Sequence, residues 1–199
     1  MSRRFVLFLA CAIYLVFGIF LASICPVLGE LSRRTGASLA AIGGVLTFLF
    51  LESLIAQVST GPLNDRYGQK IILPVSLFLI SLSIIGFTTT QSLSWMLVSF
   101  LFVGLGQGGI DMGSNLMVAD TFPRRITSYL NLLHFFFGVG AFTGPILVGL
   151  AIASTGSGVV IQQIAAGFFQ LIAFASLFLL KNKPHIDLTS PHSLYQMIC

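Results

Sequence analysis

Three ionisable side chains, Glu52, Asp111 and His134, stand inside long apolar runs of this 199-residue chain. Holding such a group in hydrocarbon is costly, so each is a candidate for carrying charge or binding a polar ligand. Their neighbours add a pattern. Gln107, Asp111 and Asn115 recur at intervals of four and share one helical face, while Asn131 and His134 are three apart on another. Measured from Asp120, Asp111 lies ~13 Å into its run, and Glu52, measured from Gly61, is equally deep. His134 is ~9 Å in from Ser128. If the fourth and fifth runs are antiparallel neighbours, a carboxylate, amides and an imidazole converge. Asp111 could then take up and release a proton, with Glu52 and His134 as further ion-coupling candidates. Gln107, Asn115 and Asn131 could bond the hydroxyls of a polar solute. The same groups could instead satisfy one another as glue between helices.

Other chemistry finds little support. No nucleophile–base or metal-ligand constellation is present, so neither an enzyme nor a resident metal or cofactor is expected. Cys11, Cys25 and Cys199 are scattered and make no disulfide framework. The net charge of +4 is dispersed, with no basic stretch longer than the pairs Arg3-Arg4, Arg33-Arg34 and Arg124-Arg125, which argues against nucleic acid as a partner.

The elements that must position these residues are membrane spans. Charged residues make up 8% of the chain and hydrophobic ones 56%, far from the roughly 25% charge of a soluble surface. Six apolar runs, 5–28, 38–61, 71–90, 95–119, 129–153 and 159–180, each reach the ~20 residues that cross a bilayer. The first is too long for a cleaved signal, whose apolar core is ~7–15 residues, and is read as a retained span. The third has only Ser and Thr as polar residues and reads as an outer, lipid-facing helix. In the sixth, Gln163 and Gln170 share a face expected to meet other helices.

Connections are short, and lysine and arginine set the direction. With the N-terminus inside, Arg3, Arg4, Arg66, Lys70, Arg124, Arg125, Lys181 and Lys183 are cytoplasmic, and Arg33 and Arg34 alone are outside. The expectation is a multi-pass protein of the plasma or inner membrane with both termini cytoplasmic. Residues 1–180 form the membrane domain, and 181–199 read as a flexible cytoplasmic tail.

Between the second and third runs stands Gly61-Pro62-Leu63-Asn64-Asp65-Arg66-Tyr67-Gly68-Gln69-Lys70. It resembles the G-x-L-x-D-R-x-G-x-K signature of the major facilitator superfamily, in the loop where that family carries it. The resemblance implies an all-α membrane bundle, one six-helix half made of two inverted three-helix repeats. It assigns a gating role to Gly61, Asp65, Arg66, Gly68 and Lys70, with Arg66 as partner of Asp65 and both glycines in tight turns. The run Gly108 to Asn115, then Leu130-Asn131 and Gly138-x-Gly140, is similar to the branch with fucose–proton symporters and sodium-dependent glucose transporters. By that likeness Asp111 is the coupling acid and Asn115 a substrate ligand.

The sequence also departs from the pattern. Phe100 stands where many proton-coupled relatives have an arginine, and span 1 has Tyr14 and Ser23 but no acid. Gly140-x-x-x-Gly144-Pro145 reads first as a small-residue packing face with a kink, and secondarily as part of an efflux antiporter motif. The expected function is therefore secondary transport of a small polar solute, most simply a sugar, with proton or sodium as coupling ion. Partners are the solute, the lipid bilayer, and a second six-helix half or a second copy. A drug or metabolite efflux antiporter and a non-transporting fragment of a twelve-span carrier are the alternatives.

Overall fold

The computed structural model describes residues 2–179, so the tail expected at 181–199 lies outside the described residues. Six helices follow one another: α1 (Arg3–Thr35), α2 (Leu39–Tyr67), α3 (Gln69–Thr89), α4 (Leu93–Thr121), α5 (Ile126–Thr155) and α6 (Val159–Leu179). All six are long and apolar enough to cross a membrane. Each overlaps one of the expected runs, and α1 to α5 extend past it at one end or both. Apolarity marks where hydrocarbon begins and ends, whereas backbone hydrogen bonding carries a helix on into the headgroup region until a residue stops it.

The stops are local. Ser2 and Ser38 begin α1 and α2 by accepting from the amides of Phe5 and Ala41. Gly36 ends α1 in the left-handed conformation, φ 67°. Only Gly68, φ 79°, separates α2 from α3. This corrects the expected loop. Gly61 to Tyr67 are the last turns of α2, so Gly61 is helical and Gly68 alone makes the turn. Pro62 lies inside the helix, where its missing N–H costs one bond and does not break the span.

Packing does not follow chain order. The broad contacts are α1 with α5, α2 with α4, and α3 with both α4 and α6. Helices α4 and α5, expected as close neighbours, touch lightly. Exchanging α1–α3 for α4–α6 maps this pattern onto itself: α1–α5 becomes α4–α2, and α1–α6 becomes α4–α3. That is the signature of two three-helix repeats of inverted sense.

Glycine decides which faces meet. A Cβ on Gly144 would stand 2.6 Å from the Ile19 carbonyl oxygen, and Gly18 and Gly140 likewise abut the backbone across the α1–α5 seam. Gly104 and Gly108 bring α4 equally close to the Leu49 and Ser53 carbonyls of α2 (2.8 and 2.5 Å). On the other side of α4, Gly106 abuts the Ile80 amide and the Ser76 carbonyl of α3 (2.9 and 3.0 Å), and Gly109 makes room for the Ser76 side chain. The Gly140–Gly144 pair is thus a packing face.

Two side-chain expectations change. The serines of α3 point inward, Ser81 donating to Ala166 and Gln170, while Val75, Leu82 and Ile85 form the exposed face. On α6 it is Gln162 that is buried, donating to Ser23 at 3.0 Å, and Gln163 is exposed. A helix turns 100° per residue, so a one-residue error in the inward face exchanges these neighbours.

Candidate functional site

Halfway along the bundle, Tyr14 of α1 reaches the polar face of α4. Its hydroxyl donates to Asp111 Oδ1 at 2.5 Å, and Asn115 Nδ2 donates to the same oxygen at 3.3 Å. Asn115 Oδ1 stands 3.0 Å from the Tyr14 hydroxyl, a second acceptor for its one proton. The four-residue spacing of Asp111 and Asn115 puts both on one side of α4, facing α1. Tyr14 is 1% exposed. Its ring meets His134 of α5 edge to face, centroids 5.5 Å apart. A phenol wedged between α4 and α5 therefore links the carboxylate to the imidazole, in place of the direct meeting the sequence suggested.

Beside this cluster opens a pocket of about 200 Å³. Its polar lining is Tyr14, Gln57, Gln107, Asp111 and His134, and Phe17, Leu21 and Phe137 supply apolar walls. Gln107 is buried, with its Oε1 lacking a hydrogen-bond partner. A buried acceptor left open beside a cavity is unusual in a folded protein and fits a ligand donor. Tyr14 lies ~17 Å along α1 from Arg3 and Asp111 ~15 Å along α4 from Thr121, both near the middle of ~30 Å of hydrocarbon.

The remaining candidates lie elsewhere. Glu52 faces Gly104, whose added Cβ would meet the Glu52 Cβ at 2.9 Å, so it occupies the α2–α4 seam. That is ~10 Å along α4 from Asp111. Its depth was misjudged because α2 continues to Tyr67. Glu52 Oε2 is buried without a partner, and the residue does not line the pocket. Asn131 is exposed on α5, about one turn from His134, and does not line the pocket either.

In the signature, Asp65 and Arg66 are both exposed and make no ion pair with each other. The Arg66 guanidinium instead lies 5.3 Å from the Tyr67 ring centroid. Lys70 sits in the first turn of α3, where Gln69 donates to Asp120 at 3.2 Å and ties α3 to the end of α4.

Tyr14 and Gln57 are the site residues that sequence reasoning missed. Tyr14 entered only as proof that span 1 has no acid, although a lone phenol in a span is itself a polar group needing a partner. Gln57 is a mid-span amide that the rule applied to Gln107 would have found.

The opposite end of the bundle has its own cluster. Glu30 pairs with Arg34 at 2.6 Å and accepts from Ser157 Oγ at 2.7 Å and the Gly158 amide at 2.9 Å. Arg34 also donates to the Thr88 carbonyl. This ties the end of α1 to the α5–α6 connection and to α3.

Comparison with known proteins places the geometry. The chain is 26% identical to sodium-dependent glucose transporter 1 of Homo sapiens over 149 residues, covering 74% of this chain and 28% of that protein. It is 26% identical to the 4-hydroxybenzoate transporter PcaK of Pseudomonas aeruginosa over 100 residues, 50% of this chain and 22% of that one. The niacin transporter NiaP of Acinetobacter baylyi is 28% identical over 99 residues, 49% and 23% of the two chains. The match thus spans less than a third of these relatives' length. The description of the Major Facilitator Superfamily fits residues 6–194, nearly the whole sequence. With its six membrane-crossing helices and their inverted-repeat packing, the chain belongs to the major facilitator superfamily.

Proposed function

We propose that the chain forms one half of a secondary carrier for a small, neutral, hydroxyl-rich solute of the sugar class, coupled to a proton through Asp111. The observation that carries this reading is the Tyr14–Asp111–Asn115 cluster beside a mid-membrane pocket with an unpartnered amide oxygen.

The lining selects the solute. Among the described residues it contains no lysine or arginine, so a carboxylate solute would enter beside Asp111 without a fixed positive charge. Amides from Gln57 and Gln107 match hydroxyls as donors and acceptors. Phe17 and Phe137 offer flat apolar surface for the carbon face of a sugar ring.

The cluster also balances a proton. With Asp111 ionised, the Tyr14 hydroxyl and the Asn115 amide would both donate to it, and the short Tyr14–Asp111 distance suits a charge-assisted bond. When Asp111 takes a proton it donates to the Tyr14 oxygen, and Tyr14 turns its own proton to Asn115 Oδ1. Both states keep their hydrogen bonds. Movement of α1 against α4 would separate Tyr14 from Asp111 and release that balance, which links protonation to rocking of the bundle. A second six-helix unit, in the same or another chain, would close the exposed side at His134. The distribution of basic residues supports a cytoplasmic Ser2 end in this reading.

Calorimetric titration of the purified chain tests the solute class. Glucose is predicted to bind with heat that varies with buffer ionisation enthalpy, and Gln107→Leu to weaken it about tenfold through one lost buried bond. Tighter binding of 4-hydroxybenzoate than of glucose would contradict the reading.

A further inference from the structure

A hollow of about 660 Å³ lies at the Ser2 end of the bundle, lined by Arg3, Phe122, Pro123, Arg124, Arg125 and Tyr129. It is ~17 Å from the Tyr14 level along α1, at the level where the membrane surface falls. Three arginines share its lining, and among the described residues none has an ion-pair partner. Among the described residues no carboxylate lines the hollow. Mutual repulsion of like charges would normally disperse such a group or recruit acids to it.

Two helix starts deepen the imbalance. α1 begins at Arg3 and α5 at Ile126, and neither has an acid in its first turn. The residue ahead of α5 is Arg125, which makes no side-chain cap. The positive ends of two helix dipoles therefore coincide with three positive side chains, where an anion is favoured twice over. Phe122 and Tyr129 stack at 3.9 Å and form an aromatic wall of the kind found where headgroups meet hydrocarbon.

The geometry points to a binding site for a phosphate-bearing anion, and its position at the membrane surface makes that anion the headgroup of an acidic phospholipid. Arginine suits this role because its planar fork bonds two phosphate oxygens at once. Bound there, the lipid bridges the start of α1 to the α4–α5 connection, two elements that move relative to each other if α1 rocks against α4.

The test uses the full chain in neutral detergent, with bound lipids counted by native mass spectrometry and melting followed by circular dichroism. Phosphatidylglycerol is predicted to bind and raise the melting temperature more than phosphatidylcholine of the same acyl chains. Each of Arg3→Gln, Arg124→Gln and Arg125→Gln should weaken that preference about fivefold, and the triple variant about a hundredfold. Arg33→Gln, at the other end, should leave it unchanged. All three arginines are exposed, so the single variants remain folded enough to titrate. Equal binding of the two lipids, or a preference untouched in the triple variant, would overturn the proposal. An equal shift from inorganic phosphate at matched phosphate concentration would overturn the lipid assignment in favour of a soluble anion.

Discussion

Tyr14 has one proton and two acceptors, Asp111 at 2.5 Å and Asn115 at 3.0 Å, and the account of coupling depends on that arithmetic. Removing the hydroxyl should damage coupling while sparing the pocket's shape. Tyr14→Phe is predicted to lower gradient-driven accumulation about tenfold or more, since a bond to a charged group contributes roughly 1.5–3 kcal/mol. Exchange of solute at equal concentrations should change far less. Uptake assays with and without an imposed proton gradient measure both, and equal losses in the two would indicate that Tyr14 only supports the fold. At this scale the sequence was partly legible. Asp111, Asn115 and Gln107 stand out because polar groups in apolar runs are rare and their spacing of four is helical. Tyr14 did not, because its importance comes from a partner 97 residues away that no local pattern discloses. Asp65 and Arg66 misled for the opposite reason: adjacency in sequence suggested a pair, but the Arg66 guanidinium lies against the Tyr67 ring.

Elements are held together here by close backbone approach. Gly140 on α5 has the Leu15 carbonyl where its side chain would be, whereas Gly149, further along the same helix, has nothing within 4 Å. The same substitution should therefore act with opposite sign at the two positions. Gly140→Ala is predicted to destabilise the bundle by about 1–3 kcal/mol, because the obstacle is backbone and the seam must open. Gly149→Ala should stabilise it by up to about 1 kcal/mol through helix propensity alone. Melting of the two variants in the same detergent decides, and a shared sign would refute the packing account. The six helices themselves could be read from hydropathy, because hydrocarbon thickness imposes their length. Which helices pair could not. Chain order suggested α4 beside α5, but the small-residue faces of α4 turn to α2 and α3, and α1 fills the space between α4 and α5. The end of α2 was also hidden, since Asn64 to Tyr67 are polar enough to read as loop and still continue the helix.

For the whole molecule, the inverted-repeat packing puts the tyrosine–carboxylate cluster at mid-depth, where a carrier that exposes one site alternately to two faces must keep it. Family and fold class were legible in the sequence because the signature from Gly61 to Lys70 is specific and the apolar runs are unambiguous. The sequence pointed to Asp111 as the coupling acid but left proton and sodium open; the proposed choice of a proton rests on how Tyr14 of α1 meets Asp111 of α4. Sugar flux in liposomes containing the chain, with internal pH recorded, tests that link most directly. The wild-type chain should move glucose with a proton, so that an imposed pH gradient drives accumulation. Asp111→Asn should abolish the accumulation and the accompanying pH change while still exchanging glucose between equal pools. Glucose flux without any pH change in the wild type, or accumulation that survives Asp111→Asn, would contradict the account.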